Sequence, residues 1–300
     1  PPPDVLPSLR EIYSRAAAFN TQTISRALAI PGGQQTATSL YLFDAPSKRI
    51  RLDFANAVAG CLLAGKAFSS TAVEERLREL SPWVSALEMV HTSSLYHDDV
   101  LDAAATRRGR PAAHCVFPFI NVTVAPYHII GSCQRVNQPF GDNRLLELIH
   151  EMVADLEQGE HMQEEARRAH SPDPEAALTH YLLKTFKKTA SIFVRGAEGL
   201  CRLLHADASR SEALLRAALF AGVAFQLRDD LLDYTSPAKG LFRDFAEGIV
   251  TLPLLELAQE EGREAFRRFF AREMRPEELA TPLLLGRCEQ FIDGCFAQFR

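Results

Sequence analysis

The chain has 300 residues, 47% of them hydrophobic and 24% charged, a balance that excludes disordered and collagen-like classes. Its 33 basic and 38 acidic side chains leave a net charge of −5, which argues against a nucleic-acid binder or a protein held on anionic lipid. Six cysteines without a C-x-x-C pair argue against a disulfide framework or a structural zinc site, and an intracellular place with reduced thiols is expected.

Pro1 is not an initiator, so a processed chain is expected, with a targeting segment removed and an organelle such as the mitochondrion as one destination. Ala, Leu, Glu and Arg then dominate, and period-two alternation is nearly absent, so most of the chain reads as helix. Breakers fall in order at Pro31-Gly32-Gly33, Ala45-Pro46-Ser47, Ser81-Pro82, Gly109-Arg110-Pro111, Gln138-Pro139-Phe140-Gly141, Ser171-Pro172-Asp173-Pro174 and Ser236-Pro237. Between them the pattern predicts helices such as Trp83–Ala104, Arg144–Ala169, Glu175–Leu204 and Glu212–Tyr234. Ser81 before Pro82 and Asp173 before Pro174 suit an N-cap followed by proline at the first helical position. The uncharged run from Pro111 to Gln134 holds Pro118, Pro126, Asn121, His114 and His128, so it reads as a buried core helix and not as a transmembrane segment. No repeat and no linker-like composition divides the chain, and one large all-α domain over residues 1–300 is predicted.

Two aspartate clusters stand out, His97-Asp98-Asp99-Val100-Leu101-Asp102 and Arg228-Asp229-Asp230-Leu231-Leu232-Asp233. Each is DDxxD with apolar residues at the x positions. On a helix the first and last Asp lie one turn apart on one face, and the middle one about 100° away. Like charges at that spacing weaken an isolated helix, so one copy would read as a solvated face. Two copies in apolar helices call instead for a hard divalent cation such as Mg²⁺, held by carboxylate oxygens and substrate phosphate. Arg107 and Arg108 follow the first cluster, Lys48, Arg49 and Arg51 open an earlier helix, and Lys184, Lys187 and Lys188 sit in another. Cations facing metal-binding carboxylates suit a polyphosphate. Lys188 is the expected ligand of its group, with Lys184 and Lys187 on a solvated face. No P-loop or G-x-G-x-x-G fingerprint points to a nucleotide.

Five ordered motifs carry a resemblance to the trans-polyprenyl diphosphate synthases, clearest over residues 48–253. Leu95–Asp102 with Arg107-Arg108-Gly109 resembles that family's first aspartate-rich motif, and Phe225–Tyr234 its second. Lys48-Arg49-Ile50-Arg51 is similar to GGKRxR, Gly159-Glu160 with Gln163 to GExxQ, and Lys188-Thr189-Ala190 to KTA; Glu247–Pro253 resembles the tail of one more. The resemblance implies a helical bundle around a central cavity, in which Asp98, Asp99, Asp102, Asp229, Asp230 and Asp233 hold magnesium. It implies that Arg107, Lys188, Thr189, Gln226 and Lys239 bind the diphosphate of an allylic primer. Lys48, Arg51, His91 and Arg108 would bind isopentenyl diphosphate. The catalytic set would be Asp98, Asp99, Asp102, Arg107, Lys188, Asp229 and Asp230. His91 also lies two helical turns before Asp98, on the same face. Ser93 and Ser94 stand where bulky aromatics would floor the product tunnel, so a medium-to-long linear polyprenyl diphosphate is expected.

The chain departs from the pattern at several places. Pro46 and Ser47 replace the glycines before Lys48, and Phe242 stands where a glycine is usual. Ile249 replaces a diphosphate-binding lysine, and Pro126-Tyr127 replaces Gly-Asp. These departures keep two alternatives open: a weakly active or non-catalytic subunit of a heteromeric synthase, and a class I terpene cyclase. The resemblance also implies a homodimer or a heteromeric partner, with the Pro111–Gln134 run at the interface.

Overall fold

The computed structural model describes residues 6–29, 34–64, 70–168, 173–236 and 241–297. The breakers Pro31-Gly32-Gly33, Ser171-Pro172 and Pro237 lie outside them, as does Lys239. In chain order come α1 (Leu6–Leu28), α2 (Gln34–Leu40), α3 (Ile50–Leu63) and α4 (Ser70–Leu101). A two-stranded ribbon, β1 (Thr106–Arg107) and β2 (Arg110–Pro111), precedes α5 (Ala113–Val116), α6 (Phe119–Asn137) and α7 (Asn143–Arg168). Next come α8 (Pro174–Thr185), a π-helical turn (Phe186–Ala190), α9 (Ser191–Leu203) and α10 (Ala208–Thr235). The last five helices are α11 (Arg243–Glu247), α12 (Leu252–Glu261), α13 (Arg263–Phe270), α14 (Pro276–Leu279) and α15 (Pro282–Ala297). The fold is all-α.

Two compact units are present. The first comprises Pro1–Val153 and Arg195–Leu214, the second Ala154–Val194 and Leu215–Arg300. In the first, α4 packs on α1, α3 and α6. Its Trp83 is fully buried and donates its indole N–H to the Gly196 carbonyl at 3.0 Å. In the second, α12 packs on α8, α13 and α15, and the core includes Tyr181, Leu227, Leu231, Tyr234, Phe266 and Phe269. Among the described residues no helix is long and apolar enough to cross a membrane.

Two sequence expectations are corrected. Pro82 does not start a helix: α4 runs from Ser70 to Leu101 with Pro82 inside it, and Ser81 is not its N-cap. The missing proline N–H is tolerated because buried Leu77, Leu80, Trp83 and Val84 hold both sides of the break. The Ser81 hydroxyl instead meets the Thr23 hydroxyl at 2.8 Å. Asp173 and Pro174 do occupy the N-cap and first position of α8. The second correction concerns the uncharged run. Within α6, Ala125, Pro126 and Ile129 are buried, but Phe119, Ile120 and Tyr127 are 65%, 64% and 76% exposed. It is a helix with one buried face and one apolar face in the open.

Candidate active site

In the first unit α4 carries His91, Ser93, Ser94, Asp98 and Asp99. Asp102 follows the last helical residue and still donates its N–H to the Asp98 carbonyl at 2.9 Å, so the one-turn spacing of the pair is kept. The chain then reverses through the ribbon, whose register pairs Arg107 with Arg110. Arg108 and Gly109 between them have φ of 53° and 76°, the left-handed pair that a primed two-residue hairpin turn requires. Glycine takes that conformation freely, whereas Arg108 is held in it by its side chain. Its guanidinium donates to the Leu42 carbonyl at 2.7 Å and to the buried Glu88 carboxylate at 3.2 Å.

That turn aims Arg107 back at the first cluster. Its Nε and Nη2 both reach Asp99 Oδ1 at 2.5 Å. Asp99 is 1% exposed, and its Oδ2 has no hydrogen-bond partner among the described residues. Burial pushes the Asp99 carboxyl up and Arg107 pulls it back. His91 is held well below the usual imidazole range by burial and by the charges of Arg51, Arg108 and Arg107, so it stays neutral at pH 7. Four of the expected residues therefore share one electropositive neighbourhood. Lys48 is exposed on the loop before α3. Arg49 beside it takes a left-handed φ of 47°, a conformation easier for glycine. Ser93 and Ser94 turn their hydroxyls onto the carbonyls of Val90 and His91, at 2.7 and 2.9 Å.

In the second unit, three motifs meet at the π-helical turn. A Cβ at Gly159 on α7 would stand 2.7 Å from the Lys188 backbone nitrogen, so only glycine allows this approach. Lys188 is ion-paired with Glu160 and donates to Gln163 at 3.1 Å. Thr189 donates to the Gln226 side-chain carbonyl at 2.7 Å, and the Gln226 amide donates to Asp230 at 2.9 Å. Asp230 is 3% exposed and also accepts from the Tyr181 hydroxyl at 2.6 Å and the Leu252 N–H at 3.1 Å. Asp233 accepts the backbone N–H groups of Arg243 and Asp244 at 3.0 and 3.2 Å, which ties it to the start of α11. Asp229 is half-buried on the same helix.

Lys184 and Lys187 are not on a solvated face. Lys187 pairs at 2.6 Å with Asp155, which is 4% exposed. Lys184 is 8% exposed and donates to the Val250 carbonyl at 3.3 Å. The surface expected to lie in water is covered on the Lys184 side by α12 and the segment before it, and on the Lys187 side by Asp155 of α7. Asp244, which motif reading did not single out, lies next to the second cluster and gives its backbone N–H to Asp233. Burial, with the charges of Asp230, Asp233 and Asp229, pushes its carboxyl up to about 7. No sequence signal beyond its place eleven residues after Asp233 would have flagged it.

The donors fit a hard divalent ion in chemistry: all are carboxylate oxygens, one of them buried with no partner among the described residues, and the second cluster has an excess of negative charge. Among the described residues no three acidic, imidazole or thiol groups already stand as a ready-made metal cage. An ion here would need ligands from a phosphate as well.

Comparison with known proteins bears on the same segments. The family model for polyprenyl synthetase matches residues 35–281. A probable mitochondrial hexaprenyl pyrophosphate synthase of Neurospora crassa is 34% identical over 189 residues, covering 61% of this chain and 41% of that protein. The chain thus spans under half the length of that relative. An all-trans-nonaprenyl-diphosphate synthase (geranyl-diphosphate specific) of Rhodobacter capsulatus is 30% identical over 275 residues, 89% of this chain and 79% of its own. A polyprenyl synthase of Caulobacter crescentus, crystallised with calcium and isoprenyl diphosphate, superposes with a TM-score of 0.73 at 26% identity, over 96% of this chain and 84% of that one. With the match running across both aspartate clusters and the turns that position them, the chain belongs to the polyprenyl synthetase family.

Proposed function

We propose that the protein condenses isopentenyl diphosphate with an allylic prenyl diphosphate, with magnesium as its metal, to give a linear polyprenyl diphosphate of medium-to-long chain. The observation that carries this reading is the buried Asp99, with one oxygen on Arg107 and the other without a partner among the described residues, on the same helix as a neutral His91 that feels the charges of Arg51, Arg108 and Arg107. Such a place attracts a polyanion and a divalent cation together.

Asp98, Asp99, Asp102, Asp229 and Asp230 would hold the metal. Asp233, already committed to backbone N–H groups, would steady the loop beside them. Bound there, magnesium would draw charge from the leaving diphosphate and so favour ionisation of the allylic C–O bond. Arg107, Lys188, Thr189, Gln226 and Lys239 would grip that diphosphate; Lys188 and Thr189 are preset by Glu160, Gln163 and Gln226. Lys48, Arg51, His91 and Arg108 would seat isopentenyl diphosphate. Because His91 is uncharged, it adds a hydrogen bond without competing for the guanidinium charge. The alkene attacks the allylic cation, and the proton lost goes to the departing diphosphate. The small, back-bonded Ser93 and Ser94 leave room for a lengthening chain.

Both units would serve one catalytic domain over residues 1–300. The open apolar face of α6 would meet a second copy, and the mitochondrial relative supports an organellar home. Incubation with magnesium, isopentenyl diphosphate and primers of several lengths tests the reading. Asp98→Asn and Asp229→Asn should each lower turnover by about 100-fold or more. Full activity in both variants would overturn the metal assignment, and products no longer than twenty carbons would overturn the chain length.

A further inference from the structure

We propose that Lys184 is a diphosphate-binding residue of the second aspartate cluster, entering it from α8 beside the place that Ile249 leaves without a cation. The proposal rests on the reading that this cluster receives a metal-bound diphosphate.

A lysine 8% exposed is unusual, since taking an ammonium out of water is costly unless anions surround it. Burial pulls the Lys184 ammonium below the usual lysine range and the Lys188 charge adds to this, while the charges of Asp230, Asp244 and Glu160 pull the other way. Its Nζ lies at 3.3 Å from the Val250 carbonyl and 5.0 Å from the centre of the Tyr181 ring. That is one hydrogen bond for three donors, and no further acceptor meets the ammonium among the described residues. Tyr181 meanwhile spends its hydroxyl on Asp230. The ammonium is thus anchored on one side with donor capacity left over.

Its anchor lies next to Ile249. That residue is half-buried and apolar, and its N–H is taken by the Asp244 carbonyl at 2.9 Å. The segment from 249 to 251 therefore brings no positive side chain of its own to the cluster, while Lys184 touches it through space. Lys188, on the π-helical turn that follows α8, is near enough for its charge to act on Lys184. A mere counter-ion for Asp230 could sit anywhere near that carboxylate. One tethered at Val250, with two donors unused, is poised for an incoming phosphate oxygen.

Calorimetric titration of inorganic pyrophosphate into the magnesium-saturated full chain tests this without relying on turnover. Lys184→Met should weaken pyrophosphate binding about tenfold or more, the worth of one charge-assisted hydrogen bond. Adding Ile249→Lys to that variant, which returns a lysine from the neighbouring backbone position, should bring affinity back to within about threefold of wild type. Asp229→Asn run in parallel reports on the cluster itself. Weaker binding in Asp229→Asn but not in Lys184→Met would overturn the lysine assignment alone. No binding by wild type, or unchanged binding in Asp229→Asn, would overturn the cluster reading and the lysine with it. Weaker binding in Lys184→Met that Ile249→Lys does not restore also overturns the proposal, because the lysine would then act only by holding the fold. If Lys184→Met does not fold, the double variant decides, and it must bind as wild type does.

Discussion

Gly159→Ala is the sharpest probe of how the second unit is assembled. The added methyl would stand 2.7 Å from the Lys188 backbone nitrogen and 2.9 Å from its Cα. Backbone atoms cannot swing aside, so α7 and the π-helical turn must part by about 0.7 Å to reach the 3.4 Å at which ordinary contact begins. Overpacking of this kind costs roughly 1–3 kcal/mol, and the better helix propensity of alanine returns up to about 1 kcal/mol of it. A net loss near 1–2 kcal/mol should lower Tm by roughly 2–8 °C. The same separation draws Lys188 from Glu160 and Gln163 and Thr189 from Gln226, so kcat/KM should fall about tenfold, more than the lost stability explains. Differential scanning calorimetry and steady-state kinetics measure the two effects. Gly131→Ala is the control of opposite sign: it lies within α6 with nothing within 4 Å of the new methyl, and should add about 0.5–1 kcal/mol. A Gly159→Ala protein that melts at or above wild type with unchanged kcat/KM would refute the close approach.

Four further outcomes are expected. Asp244 titrates near 7 in the folded chain against 3.8 for an ordinary aspartate, so the native state binds the extra proton between those values and its stability falls as pH rises from about 4 to about 7. Asp244→Asn should flatten that decline in metal-free protein, and parallel curves of Tm against pH for the two chains would contradict it. Tyr181→Phe leaves the buried Asp230 one donor short and should cost about 1–3 kcal/mol; an unchanged Tm would remove the hydroxyl from the account. Ser94→Phe should shorten the dominant product in chromatography of the dephosphorylated polyprenols, and an unaltered length distribution would place the tunnel floor elsewhere. Tyr127→Glu should convert a dimer to a monomer in sedimentation equilibrium, because it sets a charge in the exposed apolar face of α6. A wild-type monomer would sink that idea.

The aspartate clusters were legible because chemistry and spacing coincide: three carboxylates per cluster, the first and last one turn apart, within apolar helix. The arginines after the first cluster were legible as cations, yet the turn that aims Arg107 at Asp99 was not. A ribbon of two residues per strand leaves no alternation to detect, and the left-handed Arg108 depends on Leu42 and Glu88, far away in sequence. Burial of Lys184 was invisible for the same reason, since only the tertiary neighbours Val250, Asp230 and Asp244 make an inside position tolerable for a lysine. The α6 segment misled in the other direction. An uncharged run looks alike whether a core covers it or nothing does, and Phe119, Ile120 and Tyr127 fall on the open side. Pro82 shows that a strong local stop signal yields to packing on both of its flanks.

The π-helical turn at Phe186–Ala190 has a consequence for how this chain can change over time. A π turn is an α-helix with one residue too many, lodged where its neighbours make use of the misfit. Losing any single residue there would return the segment to regular winding and rotate everything before it by about 100° relative to Ser191 and beyond. Tyr181 and Lys184 would swing away from Asp230 and Val250 together, although neither had been altered. Point substitutions in that turn can be graded in their damage; a one-residue deletion should be all-or-none, which makes the register of these five residues harder to vary than their identities.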